Sequence, residues 1–295
     1  MPNPVVLPGG PGRLGEGGLR TEGRFKRSTP KAPLVSIVTV VRDGRSVLEQ
    51  TIRSVLEQSY DNVEYVVIDG GSTDGTVDVI REHASAIDYW VSEPDPGITD
   101  AFNKGIRATT GDIVGILNAG DWYTGGALAA AVRARDPEDR FAIYHGDIAY
   151  CHEDGSFAFE AKPDPSRIWR YMSLFHPTML VERAVYQRIG RYSPAFRYAM
   201  DCEFVHRAVR AGVRFVYVPR VQSHMRLGGR SHRHFRRAFA EFRDSVILHG
   251  GARFPAWGRY GAAVLKRSLV RYRVGRWLKG LRDRLRGETS PLIMP

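Results

Sequence analysis

Two cysteines in 295 residues, Cys151 and Cys202, exclude a disulfide framework. Such sparse cysteine use fits a reducing compartment. No uninterrupted run of about 18 or more apolar residues occurs, so a helical membrane span is not expected. The N-terminus lacks an apolar signal-type segment, because Pro and Gly interrupt it at once. A cytoplasmic protein is the expectation. Acidic residues are scarce in one place only: residues 226–295 hold 17 Lys/Arg against 4 Asp/Glu, whereas the rest of the chain holds 26 against 28. The net charge of +11 therefore belongs to the C-terminal segment, which implies an anionic partner such as lipid headgroups or nucleic acid.

With 43% hydrophobic residues the chain can fill a large core. Residues 1–32 are rich in Gly, Pro and Arg and read as a disordered leader. Residues 35–41 are a near-continuous apolar run with β-branched members, the pattern of a strand buried on both faces of a parallel sheet. Val47, Leu48, Ile52, Val55 and Leu56 fall at helical spacing within 47–58. Strand 64–68, helix 76–83, strand 88–92, helix 99–108 and strand 113–118 follow. This β-α-β-α-β-α-β order predicts an α/β fold, a doubly wound and mostly parallel sheet with helices on both faces. Beyond Asp121 the pattern changes to a helix at 126–134, a hairpin of 142–150 with 156–161, helices at 182–189 and 202–211, and a late strand at 215–218. From about residue 234 the chain reads as basic helices. These shifts divide it into the leader, a domain of residues 33–232 with halves 33–125 and 126–232, and a basic helical extension over 233–295.

Three segments carry chemistry. Asp69 ends the second strand and is followed by Gly70-Gly71-Ser72-Thr73-Asp74-Gly75, which puts a carboxylate where open α/β sheets bind ligands. Asp121, after Leu117-Asn118-Ala119-Gly120, repeats the device on a second strand. Hard oxygen ligands suit a divalent ion such as Mg²⁺, which one or two carboxylates and substrate phosphates together can hold. Taken alone, Asp121 is equally a helix cap. Between them, Glu93-Pro94-Asp95-Pro96-Gly97 turns into a helix whose Asp100 and Lys104 lie one turn apart and share a face.

In order and spacing, the stretches at 36–41, 68–76, 93–105 and 111–123 resemble the N-terminal half of a family 2 glycosyltransferase, and a looser resemblance runs to about residue 230. The bacterial enzymes of exopolysaccharide and lipid-linked sugar assembly are the most alike. The resemblance implies a GT-A fold, a nucleotide-diphosphate-sugar donor (foremost a UDP-sugar), and Mg²⁺ or Mn²⁺. It implies that Val40 and Val41 flank the base, that Asp69 binds the uracil or ribose, and that Gly97 and Asp100 lie beside the donor, with Asp121 on the metal. Asn118 could replace the carboxylate that the family usually has at position 120, where this chain has glycine. Asp201, in Tyr198-Ala199-Met200-Asp201-Cys202-Glu203-Phe204, matches the segment that bears the catalytic base of an inverting transfer; its structural alternative is a helix N-cap. His224 matches an extra metal ligand of some members, and His176 a recurrent position near the site. Arg226, opening Arg226-Leu227-Gly228-Gly229-Arg230-Ser231, resembles the start of a loop that closes over donor phosphates.

The basic tail, with Tyr272, Trp277, Leu278 and Leu281 among its arginines, resembles an interfacial helix on an anionic membrane, so a glycan or polyprenyl-linked acceptor at the inner membrane face is the expectation. A helix packed on the domain is the plainer alternative, and nucleic acid is not an expected partner. A nucleotidyltransferase would carry a stronger glycine-rich phosphate loop than Val41-Arg42-Asp43-Gly44-Arg45-Ser46. A non-catalytic nucleotide-sugar-binding protein at the membrane is the competing reading.

Overall fold

All seven residues of β2 (Val35–Val41) are buried, as befits a strand in the middle of a sheet covered on both faces. It lies at the centre of the computed structural model, which describes residues 6–10, 12–228 and 234–271. On one side β2 pairs in parallel with β3 (Val63–Asp69), and β3 with β4 (Tyr89–Ser92). On the other it pairs in parallel with β5 (Ile113–Asn118). The connections are α1 (Arg45–Leu56), α2 (Thr76–Glu82) and α3 (Ile98–Ala108). Alternation along β2 splits the core in two. Val38 and Val40 meet Phe102 and Ile106 of α3, while Val35, Ile37 and Val41 meet Leu48, Ile52 and Val55 of α1. This is the doubly wound arrangement that the periodicity predicts.

A mixed set of strands extends the parallel centre. Beyond β5 come β9 (Leu180–Glu182), β7 (Ala142–Cys151), β10 (Arg214–Arg226) and β6 (Trp122–Tyr123), with β8 (Phe157–Ala161) paired to β7. β10 pairs with β7 in parallel, and the short β9, β8 and β6 pair antiparallel. Helix α4 (Ala127–Arg133) covers the α1 face, whereas α5 (Arg183–Ile189) and α6 (Met200–Arg210) cover the α3 face. β10 is far longer than the strand expected at 215–218. Pro219 interrupts the pattern, and the register with β7 shifts between Val218 and Val221 and again before Ser223, so the period of two is lost locally while pairing continues. β9, three residues long, is too short to announce itself.

The leader is a correction. Residues 15–17 form β1 (Gly15–Gly17), an edge strand antiparallel to β4. Leu7 and Leu19 are buried, and Arg20 forms a buried ion pair with Glu64. Glycine here permits close approach, since a Cβ on Gly17 would stand 2.8 Å from the indole nitrogen of Trp90. The composition that reads as disorder is thus what lets the backbone lie on an aromatic ring.

Two further helices follow the sheet, α7 (Phe235–Leu248) and α8 (Arg253–Arg271). α7 packs on α6 through Ser245, whose hydroxyl oxygen is 2.7 Å from His206 Nδ1. α8 is clipped to α7 by Arg243, whose guanidinium lies 3.8 Å over Trp257 and 4.8 Å over Tyr260. Arg273, Trp277, Leu278, Leu281 and the other tail residues beyond 271 lie outside the described residues. Among the described residues no helix is long and apolar enough to cross a membrane.

Candidate functional site

The order β4-β3-β2-β5 places Asp69 and Asn118 level with Val41 and Val40 at the carboxyl ends of the parallel strands. With β2 between them, the two strand ends stand about 10 Å apart, two interstrand spacings. Winding reverses at β2, so this is the switch-point crevice. Asp43, at its lip, has φ 51°, rare for a non-glycine residue and common at functional turns.

Asp69 does not face the crevice. Its Oδ2 accepts from Gly71 N (3.2 Å), Ser72 N (3.0 Å) and Ser92 Oγ (2.5 Å), its Oδ1 accepts from Ser72 Oγ, and the residue is wholly buried. The carboxylate expected at the uracil or ribose also holds the turn together. Val40 and Val41 lie at the same strand end; as neighbouring strand residues they point to opposite faces, and each is packed into a different core. Gly97 has φ 166°, extended backbone that any residue adopts, so it makes no tight turn; a Cβ there would lie 3.9 Å from Arg197 Nε.

Asp121 meets the opposite environment. It is buried, its Oδ1 accepts one long bond from Arg226 N (3.3 Å), and the Asn118 side chain gives it a second. Burial pushes its pKa up to about 7 against these partners and the Arg226 charge. Gly120 has φ +97°, which an L side chain rarely adopts, and this is a backbone reason for the missing second carboxylate. His224 lies in register with Trp122 and stacks on it at 4.9 Å. Burial lowers its pKa, so its ring is neutral at pH 7, as a metal ligand requires. Beside Asp121 the buried Asn118 Oδ1 has no partner. His224 Nδ1 is unpartnered too, but His224 is level with Ala149 and feels the Glu160 charge, whereas the Asp121 charge acts on Tyr150, which points to the other face. An under-supplied carboxylate and an orphan amide oxygen fit a hard divalent ion with most of its shell left for phosphate and water. No group of three or more His, Cys, Asp or Glu side chains poised for a metal occurs among the described residues.

Arg226 ends a strand rather than opening a free loop, and residues 229–231 lie outside the described residues. Its guanidinium reaches Gly120 O (3.2 Å), Gln50 Oε1 (2.7 Å) and Glu153 O, and lies 5.5 Å over Trp122. It braces the turn that carries Asp121.

Sequence reasoning overlooked Asp95. Lys104 pairs with Glu93 (2.9 Å) and with Asp95, and only loosely with Asp100 (3.9 Å). Burial raises the Asp95 pKa to about 6 even so, and its Oδ2 is buried without a partner, near Gly70. Three carboxylates around one ammonium leave acceptor capacity beside the crevice. The motif at 93–105 held the signal, in an acid next to the glycine.

Asp201 lies in the first turn of α6, and the N-cap is Ala199, so Asp201 is not the cap. Its Oδ1 accepts from Cys202 N (2.8 Å). Its charge acts on His176, which is buried, stacked on Phe102 at 5.0 Å and has an orphan Nε2. Burial keeps that ring neutral. The Asp121 charge acts on Tyr150, which sits 6.2 Å from Phe175, next to His176. Tyr150 and Phe175 thus lie toward the Asp121 turn, and His176, the next residue along the chain, toward Asp201, so one run of aromatic side chains borders both. Thr99 Oγ1 donates to Phe196 O (2.8 Å) and so ties the donor-loop helix to the segment before Asp201.

The profile described as Glycosyl transferase family 2 matches residues 36–187, just over half of the chain. An uncharacterized glycosyltransferase of Mycobacterium tuberculosis is 29% identical over 237 residues, 77% of this chain and 88% of that one. A PGL/p-HBAD biosynthesis glycosyltransferase of Mycobacterium bovis is 27% identical over 180 residues, 59% of this chain and 68% of its own. Among solved structures, the mannosyltransferase PcManGT from Pyrobaculum calidifontis, in complex with GDP-Man and Mn²⁺, superposes with a TM-score of 0.57 at 19% identity, covering 92% of this chain and 86% of that one. S. aureus TarS 1-349 in complex with UDP-GlcNAc gives a TM-score of 0.57 at 15% identity, covering 79% and 72%. At such identities the likeness speaks for the fold.

Proposed function

This chain belongs to glycosyl transferase family 2 and has a GT-A type fold, and from that premise we propose that it transfers a sugar from a UDP-sugar, with inversion, to a hydroxyl of a glycan or lipid-linked acceptor. The observation that carries this reading is Asp121, a buried carboxylate beside the strand-end crevice with few donors of its own and the unpartnered Asn118 Oδ1 next to it. Unpartnered buried atoms also occur elsewhere among the described residues, as at Trp90, His145 and Gln222, so it is the pairing with an under-supplied carboxylate that marks this place. Buried polar groups are satisfied as a rule, and groups left unsatisfied together point to a ligand.

Asp201 takes the proton of the acceptor hydroxyl as that oxygen attacks the anomeric carbon, while the nucleoside diphosphate departs from the opposite face. Asp121, with Asn118, would hold a divalent ion, whose charge stabilises the leaving diphosphate. Asp95 and Asp100 accept hydrogen bonds from hydroxyls of the donor. The aromatic wall of Tyr150, Phe175 and His176 keeps the space between donor and base poor in water, which limits donor hydrolysis.

The acceptor side rests on α8. It carries Phe254 (89% exposed), Leu265 (61%) and Trp257 (46%), together with Arg253, Arg259, Lys266, Arg267 and Arg271 and no acidic residue. Apolar anchors among basic residues suit an anionic lipid surface. The enzyme then works at the inner face of the membrane, peripherally bound, in cell-surface polysaccharide synthesis. Flotation with phosphatidylglycerol vesicles tests this: the full chain should float, a chain ending at residue 254 should not, and flotation of both would remove the docking role.

The decisive experiment is a screen of nucleotide-sugar turnover with and without Mn²⁺, using membrane extract as acceptor source. One UDP-sugar should be consumed in an Mn²⁺-supported way. Asp201→Asn should bind UDP as the wild type does and lose transfer. Near-normal transfer by that variant would refute the base assignment, and UDP binding without turnover of any donor would favour the non-catalytic reading.

A further inference from the structure

α6 begins without a side-chain cap of its own. Its N-cap, Ala199, has no side-chain acceptor to offer, so the position of the helix start depends on the segment that leads into it. That segment is held by an acceptor from α7, outside the family-matched residues. Glu241 Oε2 takes the N–H groups of three consecutive residues, Arg197 (2.9 Å), Tyr198 (2.6 Å) and Ala199 (2.9 Å). The carboxylate also stands at the positive end of the α6 dipole. One turn along α7, on the same face, Ser245 is bonded to His206 of α6 at 2.7 Å, so both ends of the contact are pinned.

We propose that Glu241 is the positioning residue for the Asp201 base. The inference rests on the reading of Asp201 given above. The amides that Glu241 holds stand immediately before Met200 and Asp201, and the same short segment carries the Phe196 carbonyl bonded to Thr99 and the Arg197 side chain beside Gly97. The aim of Asp201 is set through its backbone, because among the described residues its carboxylate accepts only from its own neighbour Cys202, from the amide at 2.8 Å and from the thiol. Removing the Glu241 carboxylate frees three amides and lets the first turn of α6 drift. A displacement of about 1 Å in a catalytic group lowers turnover roughly 10²-fold. The donor pocket, built on β2, β3 and β5, is not touched by α7. The effect therefore belongs to kcat and not to nucleotide binding.

Two variants of the full chain test this, Glu241→Ala and Glu241→Gln. Turnover is read as nucleotide released from the donor selected in the screen above, binding by calorimetry with UDP alone, and local order by amide exchange. In Glu241→Ala, kcat should fall on the order of 30- to 100-fold, UDP affinity should stay within about twofold of the wild type, and exchange at 197–199 should speed up about tenfold or more while that at 71–72 is unchanged. Glu241→Gln keeps a carbonyl oxygen for these amides and should recover most of the turnover. Wild-type kcat in Glu241→Ala beside an inactive Asp201→Asn would overturn this inference and leave the base reading standing. Loss of UDP binding together with turnover in both Glu241 variants would also overturn it, making Glu241 a support of the fold. An active Asp201→Asn would instead remove the premise.

Discussion

Asp69 ends β3 and Asp121 follows β5, one on each side of β2 in the same sheet, and their surroundings are opposite. Asp69 is wholly buried and accepts from two amides and two hydroxyls. Asp121 is buried with one long amide bond and one side-chain amide, and burial lifts its pKa to about 7. A buried carboxylate supplied with donors is part of the architecture. A buried carboxylate denied them is costly to keep ionised, and a cation relieves that cost. The difference teaches which of two similar motifs reads as scaffold and which as ligand site.

The largest expected effect separates them by activity. Asp121→Asn should lower Mn²⁺-supported turnover by roughly 10²- to 10³-fold without lowering the melting temperature of the metal-free protein. Asp69→Asn should act on the fold, losing about 2–4 kcal/mol of unfolding free energy in urea titration because several donors lose their acceptor. Should Asp69→Asn melt like the wild type and lose UDP binding, the two roles are reversed.

pH sharpens the comparison next. A proton competes with the metal at Asp121, so apparent Mn²⁺ affinity in the presence of UDP should fall as pH drops through about 7, approaching tenfold per pH unit below it. Titrations at pH 6, 7 and 8 measure this, and a flat profile would detach the metal from Asp121. Stability follows the same proton with the other sign. The unfolded carboxyl ionises near 3.8 and the folded one near 7, so folding takes up a proton between these values. Metal-free stability from this group is therefore full below the lower value and declines as pH rises to the upper one. In EDTA, Asp121→Asn should melt above the wild type at pH 8, by an amount on the order of 1 kcal/mol, and the gap should shrink toward pH 4. The smallest effect is expected at Asp95, whose orphan oxygen lies beside the crevice. Asp95→Asn should raise the donor KM by about tenfold and leave kcat nearly intact, since an amide keeps one acceptor and loses the charge.

The parallel centre was legible because a strand buried on both faces leaves a continuous apolar run and its helices leave a 3.6 period, and β2, α1, β3 and β5 all carry these marks within a residue or two. The mixed second half was less so. β9 has three residues, and β10 hides its period behind Pro219 and its register shifts. The site motifs were found as segments, but the roles within them were not. From the sequence Asp69 outranked Asp95, whereas hydrogen-bond supply makes Asp69 a turn holder and leaves Asp95 an open acceptor. Glu241 carried no local signal at all, since its partners lie more than forty residues away.

By itself the sequence determined the layered α/β plan, the carboxylates at the strand ends, the basic C-terminal region and the family, because hydrophobic period, turn glycines and motif spacing act over a few neighbouring residues. Only the tertiary structure decided which carboxylates keep free oxygens, that the glycine-rich N-terminal segment becomes an edge strand, and that a helix late in the chain holds the segment leading into the one bearing Asp201. Whether a polar atom is satisfied depends on donors brought in from distant parts of the chain, and nothing in its own stretch of sequence records them.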